Sequence, residues 1–148
     1  MNPTDTVTVL NRLILTSKNG ESALRAAAEE AYHEELRASL FEYSRFFHDA
    51  ALELQDAVRR VGGRPRGLGS FDNTLHRTWM HIKALAMGHD ENVILDAVEQ
   101  DEAEADRMYA DAMTWDTPPE IHALIERQAA EARRRHASIH ALRERLLH

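Results

Sequence analysis

Six side chains have the chemistry of a metal centre: helical spacing turns Glu21, Glu102 and His136 toward an interior, sets Glu53 and Glu99 at the edges of the apolar stripes, and leaves Glu131 as a reserve ligand. Carboxylate oxygens are hard anionic donors that bridge pairs of cations, and imidazole completes the coordination sphere. That is the donor set of a di-iron or di-manganese site in a helical bundle. Glu99-x-x-Glu102 sets two carboxylates on one helix face. The usual bundle pattern takes one Glu from each of two helices and a Glu-x-x-His from each of the other two. This chain departs from it: Asp56 stands where a histidine would follow Glu53, and His136 lies five residues after Glu131 instead of three.

The same residues admit a metal-free reading. Buried carboxylates are costly unless paired, so Glu21, Glu102 and His136 could form a polar network that fixes helix register, with Arg45 or Arg107 neutralising the acids. Gln128 reads as a hydrogen-bonding spacer and Tyr109 as core.

Such side chains need rigid elements to carry them, and the sequence supplies helices. Alanine, leucine, glutamate and arginine dominate, while period-two alternation and β-branched runs are missing. Apolar or small residues at Leu10, Ile14, Ser17, Leu24, Ala28 and Ala31 predict helix A over roughly 5–31. Leu36, Leu40, Tyr43, Phe47, Ala50, Leu54 and Val61 trace helix B. Asp90 is placed to cap helix C, whose stripe includes Val98, Ala105 and Ala112. Ile121, Ile125, Ala132, Ile139 and Leu142 trace helix D. The six glycines and four prolines gather largely in "GGRPRGLG", "MGHD" and "DTPPE", which punctuate the chain.

The expected architecture is an all-α four-helix bundle forming one domain over residues 1–148. Short turns make A antiparallel to B and C antiparallel to D. The 62–89 connection, with its own helix capped by Ser70 or Asp72, is long enough to travel the length of the bundle, the crossover of ferritin-like folds. His76, Trp79 and His81 on that segment are expected to pack it onto the bundle or to form a subunit contact. In this arrangement Glu21 faces Glu102 and His136 across the interior, and Gly20 lets a neighbour approach closely.

Composition narrows the functions. Eighteen basic and 25 acidic residues leave a formal charge of −7, which disfavours a grip on nucleic acid or an anionic membrane. Without cysteine there is neither a disulfide nor a thiolate site. No phosphate loop, nucleophile elbow or dinucleotide fingerprint is present. "EARRR" (131–135) reads as a solvated face with pairing to acidic neighbours. The N-terminus lacks a signal-peptide pattern, and no apolar run approaches ~20 residues, so a cytoplasmic protein is expected.

Through "LNRLILTSKNGES" (10–22), "ELQDAVRRVGGRP" (53–65), "GSFDNTLHRTW" (69–79), "ILDAVEQDEAEADRMY" (94–109) and "ERQAAEARRRH" (126–136), the chain resembles a bacterial family of four-helix-bundle proteins of unknown function. That family is classed as ferritin-like and is distantly similar to rubrerythrins. Asn19 replaces an Asp of the family pattern, and Asp101 a Gly. The resemblance implies the ferritin-like fold.

Two functions remain in view. One is an iron or manganese centre for oxidative-stress or iron handling. The other is a metal-free helical scaffold or oligomerising interaction protein. Self-association, to a dimer in the first instance, is the expected partnership.

Overall fold

In the computed structural model, residues 3–65 and 90–147 are described; the expected crossover helix lies outside them. They form four helices: α1 (Pro3–Glu30), α2 (Glu34–Arg60), α3 (Glu91–Met113) and α4 (Pro119–Leu147). No strand occurs among the described residues.

Local chemistry sets the helix ends. Pro3 and Pro119 open α1 and α4, where a missing N–H costs nothing. Asp90 caps α3 by accepting from the Asn92 N–H at 3.0 Å. α2 has Glu34 and Glu35 in its first turn and Arg59 and Arg60 in its last, each charge complementing the helix dipole. It stops at Gly62, whose φ of 84° is in the left-handed region, while the N–H groups of Gly62 and Gly63 close back on Arg59 and Val58.

Two contacts fix the helix order. At one end, a Cβ added to Gly63 would lie 2.5 Å from a Val7 methyl, so the end of α2 abuts the start of α1. At the other, Glu91 at the start of α3 accepts from the N–H groups of Tyr32 and His33 in the α1–α2 turn, at 2.8 and 3.1 Å. The end of α2 and the start of α3 therefore lie at opposite ends of helices about 40 Å long, and α2 and α3 run parallel. Arg12 on α1 lies 3.9 Å from Asp111 on α3, as this antiparallel pairing requires. Each helix packs against two neighbours: α1 on α2 and α3, α4 on α2 and α3.

All four helices contribute to one apolar cluster, including Leu10 and Ile14, Leu36, Leu40 and Leu54, Leu95 and Val98, and Ile125 and Ile139. Its middle is aromatic. Tyr43 and Phe47, both fully buried on α2, stack with ring centroids 5.1 Å apart and planes 16° off parallel. Gly20 makes room for the pair, since a Cβ there would approach the Phe47 ring to 2.8 Å.

Candidate functional site

α3 carries the most unusual side chain. Glu102 is only 2% exposed, at a stripe position that one turn of helix separates from Val98 and from Asp106. Neither of its carboxylate oxygens has a hydrogen-bond partner among the described residues. His136 Nε2 lies 2.8 Å from Oε2 without making a hydrogen bond to it. Burial, reinforced by the like charges of Glu99, Asp106 and Asp101, pushes the Glu102 carboxyl up to about 9, so it favours its protonated form at neutral pH. Tyr43 is raised as well, by burial first and by Glu102 second.

His136 is held on both edges. While Nε2 meets Glu102, Nδ1 is 3.3 Å from Asp106. Two carboxylates on opposite edges of one imidazole cannot share a single ion with it. One turn along, Glu99 is engaged by Arg143 at 3.2 Å and by His140 at 3.5 Å.

The other candidates lie elsewhere. Glu53 meets Arg127 and accepts from Gln128 Nε2 at 3.3 Å, on the seam of α2 and α4. Glu131 pairs with Arg134 and Arg135 of its own helix, and the Arg134 guanidinium chiefly holds its carboxyl below the usual range. Glu21 departs from the expectation that it faces Glu102 and His136. It turns to the α1–α2 edge, 2.8 Å from His48 Nδ1 and 3.2 Å from Arg25. Its backbone neighbour explains why: the interior place beside Gly20 belongs to the Phe47 ring.

The six side chains are thus divided among three helix seams. Among the described residues, no group of three or more His, Asp or Glu side chains is arranged to hold a metal. Arginines pair with four of the five acids: Arg25 with Glu21, Arg127 with Glu53, Arg134 and Arg135 with Glu131, and Arg143 with Glu99. Arg107 instead pairs with Glu104 on the surface.

Gln128 is the spacer its type suggests. Fully buried on α4, it accepts from the Tyr109 hydroxyl at 3.0 Å and donates to the Ala50 carbonyl and to Glu53, both at 3.3 Å, tying α2, α3 and α4 together. Glu91 escaped the sequence reading, because its position next to a helix cap reads as dipole chemistry alone. Only the fold brings it to the α1–α2 turn, where its side chain is 1% exposed.

The family model for the domain of unknown function DUF2383 matches residues 5–115. The chain belongs to this DUF2383 family. The match spans α1, α2 and α3 and ends before α4, so Glu102 and Glu91 fall inside it and His136 outside. No curated protein matches this DUF2383 chain. No described helix is long and apolar enough to cross a membrane.

Proposed function

We propose that this DUF2383 chain is a ferritin-like helical scaffold that works by association, with its interior polar residues serving to fix helix register. The carrying observation is the Tyr43–Phe47 stack, which fills the middle of the bundle where a di-metal centre would need open space and converging donors. The parallel run of α2 and α3 supports the ferritin-like kinship, since it requires a long connection between them. The polar residues do structural work available without a metal: Gln128 bridges three helices and Glu91 ties α3 to a turn.

One observation favours the other reading, a di-iron or manganese centre for stress or iron handling. Glu102 is a buried carboxylate with both oxygens unpartnered beside an imidazole. In that reading Glu102 and His136 are the ligands to keep, and Glu21, Glu53, Glu99 and Glu131 would have to leave their present partners.

Metal analysis of protein produced in iron- and manganese-supplemented medium decides between the two. The scaffold reading expects less than ~0.2 metal per chain, unchanged in Glu102→Ala. It fails if iron binds stoichiometrically and Fe(II) exposed to oxygen develops a ligand-to-metal absorption band.

A further inference from the structure

We propose that Asn19 is a self-modification site: it deamidates through the backbone nitrogen of Gly20, and α2 controls the reaction by holding α1 shut at that point.

Asn19 and Gly20 form the only Asn-Gly pair in the chain. Asparagine deamidates when the backbone nitrogen of the next residue attacks its side-chain carbonyl carbon, and a glycine there has no Cβ to obstruct the approach. The new C–N bond closes a five-membered succinimide. The side-chain nitrogen leaves as ammonia, taking the proton of the backbone N–H. Water then opens either ring carbonyl. One opening gives aspartate; the other gives isoaspartate, which routes the main chain through the side-chain carbon and lengthens it by one atom. In both cases asparagine and water become an acid and ammonia.

Asn19 is open on one side. Half-buried, it lines a groove of about 230 Å³ between α1 and α3, with room for several waters. The other side is closed. Within α1 the Gly20 N–H is committed to the carbonyl one turn back, so its nitrogen cannot turn onto the Asn19 side chain while the helix is intact. Three residues of α2 keep it intact. The Phe47 ring fills the space beside Gly20, where a Cβ would come within 2.8 Å. Ser44 Oγ donates to the Glu21 carbonyl at 2.8 Å, and His48 Nδ1 lies 2.8 Å from the Glu21 carboxylate. Attack therefore waits on local opening of α1 around residues 19–21, and its rate follows the fraction of chains open there.

The two products differ in consequence. Aspartate at position 19 adds a carboxylate to a groove that already holds Asp101 and Glu104. Isoaspartate shifts the register of α1 beside Phe47, so a chain that has opened and reacted cannot close in the same way. The modification records the opening.

Peptide mapping by mass spectrometry after incubation of the full chain at mildly alkaline pH tests this, with isoaspartate counted by enzymatic methylation. In urea-unfolded wild type, Asn19 is expected to deamidate at least ~10-fold faster than Asn11 or Asn92, which precede arginine and valine. In the native chain the Asn19 reaction should slow at least ~10-fold. Ser44→Ala removes one tie to α1 and should speed the native reaction ~3-fold or more, with far-UV circular dichroism and the unfolded rate unchanged. Gln128→Met loosens the bundle away from this turn and should leave the native rate within ~2-fold of wild type. A native rate equal to the unfolded one, a Ser44→Ala rate equal to wild type, or equal acceleration by Gln128→Met and Ser44→Ala overturns the proposal.

Discussion

Gly20 and Phe47 are fitted to each other: a Cβ at position 20 would stand 2.8 Å from the Phe47 Cδ2, closer than real side-chain contacts allow. In an exposed helix, alanine would be better than glycine by about 1 kcal/mol. Here the ring is fully buried against Tyr43 and cannot step aside without disturbing the stack. Gly20→Ala is therefore expected to destabilise by about 1–3 kcal/mol in urea unfolding, and Phe47→Leu in the same chain should recover part of that loss. A stabilised Gly20→Ala variant would show that the interior is looser than this packing implies.

The two buried glutamates of α3 should respond to neutralisation with opposite signs. Burial works to raise the Glu91 carboxyl, but the His33 N–H, the His33 ring and the Tyr32 N–H outweigh it and hold the group below its ordinary value. A depressed carboxylate contributes stability above its unfolded value, near 4.5, that disappears as pH falls through the lower folded value. Glu91→Gln should cost about 1–3 kcal/mol at neutral pH, and the gap from wild type should close on acidification. Chemical denaturation at a series of pH values below 6 reads this directly.

Glu102 shows the reverse. Its folded value of about 9 exceeds the unfolded 4.5, so its contribution is fully favourable below 4.5 and is lost progressively as pH rises toward 9. Glu102→Gln keeps the shape and removes the ionisation. The variant should be more stable by about 1–3 kcal/mol at neutral pH and should flatten the decline in stability between pH 5 and 9. Destabilisation at every pH would mean that the carboxylate has a partner it needs.

Removing the Gln128 amide leaves the Tyr109 hydroxyl and the Ala50 carbonyl buried without their partner. Gln128→Met, close in volume, is expected to cost about 1–3 kcal/mol. Tyr109→Phe removes a donor from the same network, so the double variant should lose less than the sum of the singles.

Much of this fold is legible in the sequence, because helix periodicity and caps are local properties. Asp90 does cap α3, the stripe from Leu36 to Leu54 is buried, and the four helices begin and end close to where their punctuation places them. The close approach allowed by Gly20 was legible too, although its occupant was not. Sequence spacing places Glu21 at the level of the interior, but a helix position next to the stripe can turn either way. The volume of Phe47 on another helix decides the direction. His136 and Glu102 do meet, as the expected arrangement has them, whereas Glu53 is claimed by Arg127 of another helix, which spacing does not associate with it. Glu91 was illegible for a related reason, since its partners lie 58 and 59 positions away in sequence.

The central claim is that an aromatic stack and a structural polar network occupy the place of a metal centre. Thermal unfolding of the full chain under anaerobic conditions, with and without a large excess of Fe(II) or Mn(II), tests it most directly, because any ligand specific to the native state raises the melting temperature by mass action. The account predicts a shift below ~1 °C for wild type and for Glu102→Ala alike. A rise of several degrees in the wild type, absent in Glu102→Ala, would contradict it.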